Sequence, residues 1–241
     1  MPYALNGPWT LLRASCGDCR DATHRFEHDT VRGIYPALRA VFRMQTRRKK
    51  DRPQTLPLVI EREGRRDVVK VPTSQYPVYF PIIKFPTPGS VDGRLPVPGI
   101  EPPTLEFGHL AGPTYEALVP EYPTAEFIGA RLTFSPTEYA RTLAKIGFCA
   151  GVFAMGLAPF RNTPIRDVIL GRDPHVGHWV GSWTGEEQSL PKGLHAMKVR
   201  AAGADIHVIL RLFAQFGAPE YHVALGTADP EFVASPAWPW K

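Results

Sequence analysis

Cys16-Gly17-Asp18-Cys19 places two thiols two residues apart. At that spacing a tight turn brings both sulfurs to one point, where they can share a tetrahedral zinc ion. Zinc takes four ligands in such a site. His24 and His28 follow closely enough to be drawn as the third and fourth, although Cys-x2-Cys-x4-His-x3-His crowds both histidines onto one short segment. The plainer alternative makes each an ordinary exposed helical histidine. A redox pair is a further reading, but no thioredoxin-like β-strand precedes it. A different chemistry follows downstream, where Arg39, Arg43, Arg47, Arg48, Lys49, Lys50 and Arg52 gather seven cations, six of them within ten residues. Such a cluster can neutralise several phosphates and give sequence-independent, salt-dependent binding of nucleic acid. Its alternative is a solvated helix end whose cations suit the helix dipole.

The remaining reactive side chains read as structural. His175 and His178 lack carboxylates at metal spacing, and Cys149 sits between Phe148 and Ala150 as a small hydrophobe. His195, His207 and His222 fall on three expected neighbouring strands and could cluster, although strand histidines are usually structural. Trp179, Trp183, Trp238 and Trp240 read as core or tail packing. Neither a Gly-rich phosphate loop nor a Gly-x-Ser-x-Gly elbow is present.

Three zones must position these residues. Residues 1–52 are polar and basic. Ala22, Phe26 and either Asp29 or Thr30 predict a weak helix before Gly33, and Leu38, Val41, Phe42 and Gln45 a second, with Arg39, Arg43, Arg47 and Lys50 on its opposite face. Residues 53–125 open on a hairpin, Leu56–Glu61 and Asp67–Val71, turning at Arg62-Glu63-Gly64-Arg65. Twelve of the 26 prolines then fall between Pro72 and Pro123, which predicts an extended, wrapped connector with edge strands at best, in which the aromatic and β-branched run Tyr76–Phe85 lies against a core. Residues 126–241 predict an α+β domain. Ser135-Pro136-Thr137-Glu138 opens a helix running to about Gly156, Thr163-Pro164 opens a short one closed by Gly171, and Leu194–Ala201, Asp205–Phe216 and Glu220–Leu225 form an antiparallel meander. The fold class is therefore α+β.

The stretch from Met1 to Cys19 resembles the middle of the HNH endonuclease (His-Me finger) motif in its zinc-stapled form. Pro2 matches the proline after the family's catalytic histidine, Asn6-Gly7 the loop, and Cys16 and Cys19 the second half of the zinc clamp. Thr23-His24-Arg25-Phe26-Glu27 and the basic run Thr46–Pro53 fit a bacterial subgroup with a long C-terminal extension. The resemblance covers about residues 1–70. It implies a partial ββα-metal element, Cys16 and Cys19 as structural zinc ligands, and phosphodiester hydrolysis in which a histidine activates water while a divalent metal such as magnesium holds the phosphate. The family's first cysteine pair and histidine would precede residue 1, leaving His24 as a stand-in for the catalytic residue. Either the reading frame begins upstream of Met1, or the chain is a degenerate relative that binds nucleic acid without cutting it.

Charge follows the same division. Residues 1–70 hold 15 Lys and Arg against 8 Asp and Glu, a net of +7, and the rest hold 13 against 15, a net of −2. This points to a localised polyanion contact, DNA for preference, rather than a uniformly basic coat. The longest apolar run, Ile146 to Phe160, is broken by three glycines and Pro159, too short for a membrane span. No signal peptide is visible, and three cysteines make no disulfide framework, so a cytoplasmic location is expected.

Overall fold

The computed structural model describes Leu5, Leu11, residues 15–46, 49–183, 193–235 and Pro239. Helix α1 spans Gly17–Ile34 and buries Thr23, Phe26, Thr30, Val31 and Ile34 along one stripe. The stripe passes through Thr23 and leaves Ala22 exposed, because the Thr23 hydroxyl is satisfied by the Cys19 carbonyl at 3.0 Å and by Lys145 Nζ at 2.8 Å. Gly33, expected just past the helix, lies inside it. A Cβ there would come 2.0 Å from the Thr133 carbonyl oxygen, so only glycine permits the approach of the segment that leads into the helix beginning at Pro136.

Helix α2 is one and a half turns, Pro36–Val41, with proline at its start. It ends early because Arg43 takes a positive φ of 49°, and Arg52 donates from one nitrogen to the carbonyls of Arg43 and Met44, both at 2.9 Å. The expected helical face carrying Arg39, Arg43, Arg47 and Lys50 is therefore interrupted.

Strands β1 (Thr55–Arg62) and β2 (Arg65–Pro72) form the expected hairpin. Glu63 and Gly64 both take positive φ, the conformation of a type I′ turn that matches strand twist. Beyond it lie β3 (Val78–Lys84), α3 (Gly89–Asp92), β4 (Thr104–Ala111), α4 (Tyr115–Leu118) and β5 (Phe127–Gly129). β3 and β4 form a two-stranded antiparallel ribbon in which Pro81 faces Phe107, while β5 adds to β1. Both strands of a ribbon have an open edge, so the missing Pro81 N–H costs no ladder bond. Val78, Phe80 and Ile83 are fully buried, so the Pro-rich stretch contributes to the core.

Helix α5 runs Pro136–Met155, with the Ser135 hydroxyl accepting from the Glu138 N–H and Gly156 closing it. After α6 (Ile165–Leu170) and α7 (Val176–Trp179), strands β6 (Val180–Ser182), β7 (His195–Ala202), β8 (Asp205–Leu212) and β9 (Glu220–Thr227) form an antiparallel sheet ordered β6-β9-β8-β7, and α8 spans Pro230–Ala234. The meander is as expected, with β6 added at one edge. α5 lies close on this sheet: a Cβ at Gly147 would sit 2.9 Å from Val223, and one at Gly151 2.6 Å from Leu225. The fold is α+β, and one apolar core draws on all three sequence zones, through residues such as Phe26, Leu58, Phe80, Leu143 and Val223.

A chain of buried hydroxyls ties the layers together. Tyr221 donates to the Ile83 carbonyl at 2.9 Å and Tyr139 donates to Tyr221 at 3.0 Å. The single Tyr139 proton is thereby used, so Tyr35, 3.0 Å away, donates to Tyr139. Burial pushes all three phenols well above the usual tyrosine range and keeps them protonated. No helix among the described residues is long and apolar enough to cross a membrane.

Candidate functional site

The N-terminal corner holds the thiols. Cys16 caps α1, its Sγ accepting from the Cys19 N–H at 3.4 Å, and Cys19 lies in the first turn. That backbone N–H lowers the Cys16 thiol, and the thiol–thiol hydrogen bond helps, as expected at a helix N-terminus. The same hydrogen bond raises Cys19, partly offset by the cations Arg172 and Arg166 near α6. The two thiols thus meet in the first turn of α1, with Asp18 acting against the Cys16 thiolate and Arg172 and Arg166 acting for that of Cys19. The thiols supply half of a tetrahedral zinc set. Among the described residues no group of three or more His, Cys, Asp or Glu converges, so these residues do not fit a closed zinc site, nor a separate carboxylate–histidine centre for magnesium.

His24 is exposed on α1, its nearest aromatic neighbour being His28 at 5.9 Å between ring centroids, while His28 pairs with Asp29 at 3.2 Å. The structure does not bring His24 to the thiols. The basic cluster separates into parts. Arg39 is half-buried, and burial, aided by Arg32, lowers its guanidinium. Arg52 is spent on backbone carbonyls. Arg43, Lys49 and Lys50 are exposed, the lysines in a separate 3-10 turn. Arg47 and Arg48 lie outside the described residues, as do Pro2, Asn6, Gly7, Trp238 and Trp240.

The three strand histidines divide. His195 Nε2 donates to the Leu5 carbonyl at 2.6 Å and its Nδ1 accepts from the Phe213 N–H at 3.2 Å, which satisfies a neutral ring held below its usual pKa by burial. It is structural, as expected. His207 and His222 do pair, Nδ1 to Nε2 at 3.0 Å. Burial, with His207 alongside, lowers His222 to about 4, and burial lowers His207 too, so both rings are neutral at pH 7.

His207 stands in a cleft of about 410 Å³ that the sequence did not reveal, lined also by Ser90, Asn162, Trp179 and Asp205. Its floor is the sheet face turned away from α5, where Ala224 leaves room. A β-bulge shifts the register between Ile206 and His207, opposite Gly226, whose φ is +95°. Bulges re-aim side chains in this way at sites of function. Ser90 Oγ is buried without a hydrogen-bond partner, Asn162 has none among the described residues, and Asp205 accepts from the Thr227 hydroxyl at 2.7 Å. A concave site with a few convergent, unsatisfied polar groups beside an aromatic ring is the usual form of a ligand pocket. Its residues come from α3, α7, β8, β9 and a loop, so no local motif announces it.

No family model matches the chain, and no curated protein or solved structure is similar to it.

Proposed function

We propose that the chain is a nucleic-acid-processing protein carrying the helical half of an HNH-type element. The observation that carries this reading is the pair Cys16 and Cys19, capping and opening a long helix with both thiols together, where the resemblance requires the second cysteine pair. In this reading the two cysteines are structural zinc ligands, Arg43, Lys49 and Lys50 hold nucleic-acid backbone, and hydrolysis of the phosphodiester needs a histidine base other than His24. Translation of the genomic DNA upstream of Met1 tests it. A Cys-x-x-Cys followed by Asp or Glu and His, in frame, is the expected result, and an intervening stop codon overturns the nuclease. The chain itself should bind less than one zinc per molecule, and stoichiometric zinc by metal analysis would sink the claim of a half-clamp.

A second reading, a nucleic-acid-binding protein without hydrolytic activity, is favoured by one specific feature: His24 is exposed and, among the described residues, belongs to no converging group of ligands or carboxylates. Incubation of the chain with linear DNA and magnesium tests the second reading: retarded but intact DNA is expected, cleavage would overturn it, and the upstream translation decides between the two readings.

A further inference from the structure

The geometry points to the cleft over the C-terminal sheet as a binding site for one nucleotide unit, with the base against Trp179 and its phosphate over Arg200. The argument starts from the sheet. Val223 and Leu225 face α5, so His222 and Ala224 face the other way, and the register sets His207 opposite Ala224 and Arg200 opposite His207. Directly opposed residues of an antiparallel pair project to one face. Trp179, immediately before β6, Ala224 on β9, His207 on β8 and Arg200 on β7 therefore form a line across the sheet, aromatic at one end and cationic at the other. Lys198, two residues from Arg200, shares that face. Both cations are exposed and have no ion-pair partner among the described residues.

The polar groups suit the edge of a base. The bond between His207 Nδ1 and His222 Nε2 uses one proton, while His222 Nδ1 is buried without a partner. Buried orphan N–H groups are rarer than orphan acceptors. The proton therefore lies on His222 Nε2, and His207 carries its own on Nε2, leaving a donor that no group among the described residues takes up. Ser90 and Asn162 both donate and accept, and ionised Asp205 only accepts. The cleft lining holds a carboxylate and no cation, so the phosphate belongs outside it, at Arg200. A carboxylate rewards a base with an exocyclic amino group, as when Asp accepts from cytosine N4, and penalises thymine and uracil. A ring on Trp179 adds stacking that any base can use.

The inference extends the nucleic-acid reading but does not depend on its duplex contacts. The full chain is titrated with 5′-CMP, 5′-AMP, 5′-GMP and 5′-UMP by calorimetry, and with oligo-dC and oligo-dT of equal length by fluorescence anisotropy. Amino-bearing bases should bind about tenfold tighter than uracil or thymine, the size of one good base-edge contact. Asp205→Asn, which keeps an acceptor for Thr227, should erase that preference. Arg200→Ala, at an exposed position, should weaken every phosphate-bearing ligand a few-fold without changing the preference. Binding of mononucleotides identifies a free nucleotide as the ligand, and binding of strands alone identifies a nucleotide within a chain. No base preference in either arm, or a preference indifferent to Asp205→Asn, overturns the inference. Duplex DNA scored alongside keeps the two readings apart: duplex binding with no base preference sinks this inference only, and nucleotide binding without duplex binding sinks only the contacts assigned to Arg43, Lys49 and Lys50.

Discussion

The N-terminal corner and the sheet cleft assemble reactive side chains in opposite ways. In the corner, Cys16, Cys19, His24 and the cations are neighbours in sequence, yet only the two thiols meet, and most of the rest stand in solvent. In the cleft, Ser90, Asn162, Trp179, Asp205 and His207 come from positions spread over more than a hundred residues, and they line one concavity in which the Ser90 hydroxyl is buried without a partner among the described residues. Sequence proximity on a helix sets what can be reached, but burial sets what is chemically altered. His24 stands in solvent, whereas His222 is driven down to about 4 by burial beside His207.

The largest test of that contrast is pH. His222 has a folded pKa below its ordinary value of 6.5, so between about 4 and 6.5 the unfolded chain binds more protons than the folded one. Its contribution is fully present above 6.5 and is lost as pH falls toward 4, on the order of 2–3 kcal/mol for a shift of this size. Urea unfolding at pH 7.0, 5.5 and 4.5 should show the loss, and His222→Asn should reduce it, leaving the smaller part that the lowered His195 and His207 contribute. An equal reduction by His24→Asn would erase the distinction between the two regions.

The tyrosine chain joins the elements that carry the two regions, since Tyr35 caps the far end of α1 while Tyr221 lies on the α5 side of the sheet. Tyr139→Phe removes the acceptor of the buried Tyr35 hydroxyl and leaves Tyr221 bonded to Ile83. An orphaned buried donor costs about 1–3 kcal/mol. Chemical denaturation should show that loss, and Tyr35→Phe added to Tyr139→Phe should recover part of it, because the orphan is then gone. A neutral Tyr139→Phe would mean that α1, α5 and the sheet are joined by apolar packing alone.

Much of the fold was legible because its signals are local. Ser135-Pro136-Thr137-Glu138 and Gly156 bracket α5, Glu63-Gly64 turns the first hairpin, and the meander follows its glycine-containing gaps. Errors came where distant groups decide the outcome. Gly33 stays helical because the Thr133 carbonyl needs its missing Cβ, and α2 stops at Val41, where Arg52 reaches back to the carbonyls that follow. Of the candidate site, the spacing of Cys16 and Cys19 puts both thiols in the first turn of α1, but no local pattern could add His24 to them. His207 and His222 were recognised as strand neighbours, yet their cleft depends on Ser90 and Asn162, whose place rests on tertiary packing. A serine in a proline-rich stretch carries no sign of being buried without a partner.

The smallest effect should come from the thiols. Cys16 and Cys19 stand at the solvated start of α1, and serine is a better N-cap than cysteine. Cys16→Ser with Cys19→Ser should therefore change stability by less than about 0.5 kcal/mol, as for surface positions generally. Their chemistry should differ more than their energetics. Iodoacetamide followed by mass spectrometry should label Cys16 first, because the Cys19 N–H favours its thiolate, then Cys19, and last Cys149, whose thiol burial pushes up. Labelling of Cys149 at the rate of Cys16 would show α5 open to solvent. A double serine variant destabilised by more than about 1 kcal/mol, well beyond the surface range, would show that the corner is held together by its sulfurs.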